Sequence, residues 1–503
     1  MSSTDGPLDP GSSGSVHPQG PVSVLDHPRA QRPRIGRNRP TITVIAVVAA
    51  LLIAAIIAWV IVLVPDATDG GTGVGDPYFP RMGGGGYDAE KYAIDVSWDD
   101  THALLSGTTT MTARATKDLS AVHVDLALKV DRVSQGTTVT EYTQDGQDVR
   151  VKLAEPVRAG QEFALTLSYA GNPGLVSGDG GFYDTNGEIV VADEPSSAPL
   201  WFPSNDHPSD PALMDVTLRV PTGKQAVSVG RLDSHTTEGG RDVWHWVSSQ
   251  PMATYLNFFA IGDFRIEQGV VDGRPYVYAV SNQLPNADEL MTTLHDTAGI
   301  VKELENLYGP YPFTEIGGVA AGADFDFGGL EIQTRPLYQA DALQADSRQL
   351  MVHELAHMWF GNNVTLRGWK DIFMNEAFAT HAQWMVGEQA GDGPANDYLN
   401  GYYDQLPDDI WQLKISDPGP DDLFDEAVYV RGAMTMQALR NVMGDDAFLA
   451  MCREWAQRPG SRSLAEFRVF AQQHASTDLS GFFTAWVDTP AKPERTPQNG
   501  FIA

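Results

Sequence analysis

Apolar and polar positions divide the chain into three regimes. Residues 41–64, TITVIAVVAALLIAAIIAWVIVLV, are apolar without interruption and carry no charge. From about 87 to 265 the pattern alternates. KYAIDVSWD (91–99), EFALTLSYA (162–170) and PALMDVTLRV (211–220) place large apolar or β-branched residues at every second position, with Gly, Pro, Asn and Asp between the runs. A period of two predicts half-buried strands, so this stretch is expected to form a mostly antiparallel β domain. From about 266 to 490 the period lengthens to that of amphipathic helices, as in DELMTTLHDTAGIVKELENLYG (288–309), FMNEAFATHAQWMVGEQ (373–389) and SLAEFRVFAQQHA (463–475). A strand-rich piece, GGVAAGADFDFGGLEIQTRPLY (317–338), lies among them, which predicts a small sheet covered by helices. The fold class expected is α+β.

The uncharged run would span roughly 36 Å as a helix, enough for a bilayer core. Pro40 and Pro65 bracket it, Arg29, Arg32, Arg34, Arg37 and Arg39 precede it, and Asp66 and Asp69 follow. The positive-inside rule then predicts a single-pass anchor in the lipid bilayer of the cell membrane, with a cytoplasmic N-terminus and an extracytoplasmic remainder. The rivals are a cleaved signal peptide, whose apolar region is usually shorter, and a buried core helix. The expected order is a disordered basic tail over 1–40, the anchor over 41–64, a Gly-rich linker over 65–86, the β domain over 87–265, a catalytic domain over 266–490 and a tail over 491–503.

Formal net charge is −31 over 503 residues, and Asp66 onward carries 29 basic and 62 acidic residues, a net of −33. So acidic a surface repels phosphate, which argues against nucleic acid as a partner. Cys452 is the one cysteine, so neither an intrachain disulfide nor a cysteine-rich structural zinc site is available.

Chemistry concentrates in HELAHMWFGNNVTLRGWKDIFMNE (353–376). His353 and His357 are four apart and share one helix face, so both imidazoles reach one ion. Glu354 lies beside the metal, where its carboxylate can accept a proton from water. Glu376 follows eighteen intervening residues (358–375), room for a loop and a second helix that brings a third ligand. Two His and one Glu leave one position open, the donor set of a catalytic Zn2+ site with one ion per chain.

This motif and spacing resemble the aminopeptidase-N-like gluzincin family of zinc metallopeptidases, which includes the leukotriene hydrolase branch. Further segments occur in the family's order: WFPSNDHP (201–208), PMATYL (251–256), YGPYPF (308–313), GGLEIQT (328–334) and VYVRGA (428–433). The resemblance implies a thermolysin-like catalytic domain and peptide substrates with a free N-terminal amine. It implies that the strand edge at Gly328 and Gly329 binds the substrate backbone, and that Glu331 holds the α-amine. Glu194, nine residues before Pro203, is implied as a second amine ligand, and Tyr429 as a hydrogen-bond donor to the oxyanion. Leu330, Ile332 and Ala192 depart from the family pattern, and Arg431 stands where Lys is common. A short form without the large C-terminal helical domain of longer relatives is expected, and with it a more open site. The function expected is removal of the N-terminal residue from peptides. A zinc endopeptidase and a degenerate peptide-binding surface protein are the alternatives.

Overall fold

A computed structural model describes residues 49–50, 67–178, 180–325 and 327–502. An eight-stranded sheet dominates the first half. Its strands run in the spatial order Arg231–Glu238, Arg241–Val247, Leu213–Pro221, Tyr87–Asp99, Leu104–Ala115, Glu162–Gly171, Lys129–Gln135, Thr138–Val139. All neighbours are antiparallel except Leu213–Pro221 with Tyr87–Asp99, which run parallel. Along Tyr87–Asp99 the buried face is Tyr87 and Ala89, then Tyr92, Ile94, Val96 and Trp98. A register shift between Ala89 and Lys91 moves the alternation by one residue, so both sets point inward. Two four-stranded sheets complete the β half.

The second half carries a five-stranded sheet in the order Phe264–Val271, Arg274–Ser281, Ile316–Ala321, Leu337–Gln339, Gly329–Leu330. Its last strand pairs only with Leu337–Gln339, leaving one edge unpaired among the described strands. Helices pack on this sheet. The helix Ser347–Ala356 carries the first histidine, and the helix Phe373–Ala390 is buried on nearly every face until Gly391 ends it in the left-handed conformation. A helix buried on nearly every face, with Asn375, Glu376 and His381 among its buried residues, lies inside the layers and not on the surface. The β half followed by a helical half with its own small sheet is the α+β arrangement expected.

The Gly-rich stretch is packed against its neighbours. Asp76 lies in the interior and accepts the backbone N–H groups of Tyr78 at 2.8 Å, Phe79 at 3.1 Å and Trp369 at 2.9 Å. Gly84 lies so close to the His123 carbonyl that a Cβ would run into it, which is why glycine composition here marks close backbone contact.

The expected membrane placement is corrected. Among the described residues no helix is long and apolar enough to cross a membrane. The longest, Phe373–Ala390, has 18 residues and carries Asn375, Glu376, His381 and Glu388, whereas a span needs about 20 predominantly apolar ones. The stretch 41–64, on which the expectation stood, lies outside the described residues except for Ala49 and Ala50. No described helix supports the bilayer as a partner or the extracytoplasmic location.

Candidate active site

Every site residue expected from sequence lines one pocket of about 640 Å3: Glu194, Gly328, Gly329, Glu331, His353, Glu354, His357, Glu376 and Tyr429. The helical period sets the first two. His353 and His357 have ring centroids 4.8 Å apart. Glu376 enters from the neighbouring helix, with Oε2 at 3.3 Å from His353 Nε2 and 3.6 Å from His357 Nε2. Two donors bound tetrahedrally to zinc at about 2.0–2.1 Å stand about 3.3–3.4 Å apart, so both glutamate–histidine distances come close to the edges of a zinc coordination shell. His357 Nδ1 lies 3.0 Å from the Phe360 carbonyl. A carbonyl only accepts, so Nδ1 carries the hydrogen and Nε2 is left for the metal.

The charges reinforce one another. Burial would raise the Glu376 pKa, but the charge on His357 and hydrogen bonds from both histidines outweigh it and hold the carboxyl down at about 2. Burial would depress His357, but the Glu376 and Glu331 carboxylates push it up to about 10. Metal entry displaces that proton.

Glu354 is buried beside this triad. Burial raises its pKa, His357 counters, and Glu331 and Glu376 add to the rise. That moves a carboxylate toward the range of a general base working near neutrality. Gly329 lies against it: a Cβ there would sit 2.5 Å from Glu354 Oε1.

Glu331 follows the edge strand. Its Oε1 accepts from Tyr255 Oη at 3.0 Å and its backbone carbonyl from Asn362 Nδ2 at 2.8 Å. Burial raises its pKa. Glu194 reaches the same pocket from the β half. Burial, then repulsion from Glu331, raises its pKa, and its Oε1 has no hydrogen-bond partner among the described residues. Tyr429 sits on a π-helical turn, Ala427–Arg431, with its ring stacked on that of His353 at 5.9 Å. Burial, then the surrounding glutamates, raises the phenol pKa, so it stays a donor.

Arg431, two residues on, is fully buried and donates to the carbonyls of Trp411, Leu413, Trp486 and Thr489. A lysine has one ammonium in place of this planar fork and could not span the same four acceptors.

Sequence reasoning singled out the PMATYL segment but assigned Tyr255 no role. Nothing local distinguishes a buried tyrosine that meets a carboxylate from one that only packs. Phe327, Leu350 and Phe424, apolar walls of the pocket, were missed for the same reason.

The peptidase M1 N-terminal domain profile matches residues 88–256, and the peptidase family M1 domain profile matches residues 292–486. The chain belongs to the M1 peptidase family. It is 26% identical over 418 residues to endoplasmic reticulum aminopeptidase 1 of Homo sapiens, covering 73% of this chain and 44% of that protein. It is 24% identical over 445 residues to aminopeptidase N of Lactococcus lactis subsp. cremoris, covering 81% and 51%. The chain thus spans about half the length of the curated M1 relatives it matches. The crystal structure of the M1 zinc metallopeptidase from Deinococcus radiodurans superposes with a TM-score of 0.76 at 26% identity, over 84% of this chain and 98% of that one. A glutamate-to-alanine variant of it, solved with a Tyr-Ser-Ala substrate, gives a TM-score of 0.75. M1 relatives of solved structure are zinc metallopeptidases, and His353, His357 and Glu376 are a donor set that fits zinc.

Proposed function

We propose that this M1 peptidase removes the N-terminal residue from peptides with a free α-amine, using one Zn2+ held by His353, His357 and Glu376. The observation that carries the reading is the pairing of two buried carboxylates, Glu194 and Glu331, beside the ligand triad in a pocket that no Lys or Arg among the described residues lines. Two like charges out of water are costly unless a cation joins them. A substrate ammonium is that cation. Held there, it leaves room for one residue before the scissile bond. The related Deinococcus radiodurans enzyme, solved with the tripeptide Tyr-Ser-Ala, agrees with a short peptide as substrate.

When bound, zinc polarises the scissile carbonyl and makes water a better nucleophile at neutral pH. Glu354 takes the proton from the attacking water and returns it to the leaving amine. Tyr429 donates its phenol hydrogen to the negative charge growing on the carbonyl oxygen. The open edge of Gly329–Leu330, with Gly328 before it, accepts the peptide backbone as an added strand. Asn362 and Tyr255 keep Glu331 from turning away.

The test is one peptide in two forms, free and N-acetylated, incubated with the zinc-loaded protein and followed by mass spectrometry. Stepwise loss from the free form alone is expected. Internal cuts in both forms would make the protein an endopeptidase.

A further inference from the structure

Glu194 and Glu331 come from different halves of the protein and repel one another, yet an ammonium needs both at a set separation. One buried side chain connects the two. Asp206 is 2% exposed. Its Oδ2 accepts the hydroxyl of Ser196, two residues after Glu194. Its Oδ1 accepts the hydroxyl of Thr254 at 2.6 Å. Thr254 opens the single 3-10 turn Thr254–Leu256, and the next residue, Tyr255, donates to Glu331 Oε1 at 3.0 Å. Asp206 is itself held from behind, its backbone N–H donating to Asp125 Oδ2 at 3.0 Å, an oxygen that also takes the Gly83 N–H at 2.9 Å.

We infer that Asp206 is a positioning residue that sets the spacing of the two amine-facing carboxylates, Glu194 and Glu331. The inference rests on the proposed roles of those two residues. The physical reason is stiffness. A carboxylate that accepts one hydroxyl on each oxygen in a water-poor interior makes two charge-assisted bonds, stronger and shorter than neutral ones. Each bond fixes a short piece of chain that ends at an amine ligand. Turning Asp206 to favour one arm breaks the other, so the two arms move together or not at all. Displacing either carboxylate weakens the hold on the ammonium, which is why a shared anchor matters more than either contact alone.

The experiment uses the zinc-loaded protein and a set of L-aminoacyl 4-nitroanilides, taking whichever is turned over fastest. KM, kcat and zinc content are measured for Asp206→Asn, Ser196→Ala, Thr254→Val and the Ser196→Ala/Thr254→Val pair. Glu331→Gln is the control. Because amine capture is felt in ground state and transition state alike, KM is expected to rise about tenfold in Asp206→Asn with kcat within about threefold of wild type. Zinc content stays at one per chain. Each single hydroxyl loss raises KM by about threefold or more, and the pair departs from the product of the singles by about threefold, the mark of two residues sharing a partner. A merely structural Asp206 would lower the active fraction and kcat, leave KM alone and give multiplicative singles; that result overturns the inference. Should Asp206→Asn not fold, the two hydroxyl variants and their pair decide it. If Glu331→Gln raises KM and the Asp206, Ser196 and Thr254 variants do not, the inference fails while the reading of the site stands. If Glu331→Gln leaves KM unchanged, the reading fails and the inference with it.

Discussion

Asp76 accepts the backbone N–H of Trp369 at 2.9 Å across 293 residues of sequence. Trp369 opens the short turn Trp369–Asp371, and Phe373, two residues later, begins the helix that carries Glu376. The same Asp76 Oδ2 lies 3.1 Å from Nε2 of the buried His207. The stretch before the first long strand is therefore bonded to the approach of the helix that carries Glu376.

Asp76 predicts a pH-dependent contribution to stability. Burial would raise its carboxyl pKa, but hydrogen bonds from His207 and from the Trp369, Phe79 and Tyr78 N–H groups bring it from 3.8 down to about 2. A depressed carboxylate stabilises the folded state above its unfolded pKa and loses that contribution as pH falls through its folded pKa. Asp76→Asn should therefore cost about 1–2 kcal/mol at pH 6, and the difference should shrink between about pH 4 and pH 2. Urea unfolding followed by circular dichroism at pH 6 and pH 3 measures it. Equal stabilities at pH 6 would remove Asp76 from this role.

Glu354→Gln should lower kcat by a factor of about 10²–10⁴ while the protein keeps one zinc, read by elemental analysis. Gly329→Ala approaches the same carboxylate from the strand side. The new methyl would meet Glu354 Oε1 at 2.5 Å, so kcat should fall by about tenfold or more with zinc content unchanged. Wild-type turnover in Glu354→Gln would end the general-base assignment.

Tyr429→Phe removes one hydrogen-bond donor and little volume. Loss of a single oxyanion donor lowers kcat by a factor of about 10²–10³ and leaves KM nearly unchanged. A rise in KM at constant kcat would mean that the phenol binds substrate instead.

Chelation should abolish turnover, and stoichiometric zinc should restore it. The chain should stay folded without the ion, since its extensive buried core does not depend on the metal. The melting temperature should rise on adding zinc, because the ion binds only the folded state. Unfolding on chelation, seen in the far-ultraviolet spectrum, would show a structural role for the metal.

Much of the site could be read along the chain. His353, Glu354 and His357 depend only on the helical repeat, and Glu376 on having enough chain for one turn and a second helix. The strands of the β half follow from alternation, with register shifts such as those at Ala89–Lys91, Leu119–Ala121, Val130–Arg132 and Leu232–Ser234 as irregularities the pattern hides. The π-helical turn under Tyr429 was not legible, because one extra residue in a turn changes no composition and barely alters a period. Glycines over 65–86 suggested a linker, and within it Gly84 and its neighbours pack backbone against backbone. The apolar run over 41–64 suggested a membrane span, and no described helix is one.

Local repeat determined which residues share a helix face or a strand face, since that geometry extends over a turn or two and needs no partner. It is enough to write down a zinc ligand set. The meeting of Glu194 with Glu331, the hydroxyls of Ser196 and Thr254 on Asp206, and the grip of Asp76 on Trp369 join segments far apart in sequence. Only the packing of the whole chain decided those, because hydrogen bonds between distant segments form when burial has already brought them together and closed them off from water.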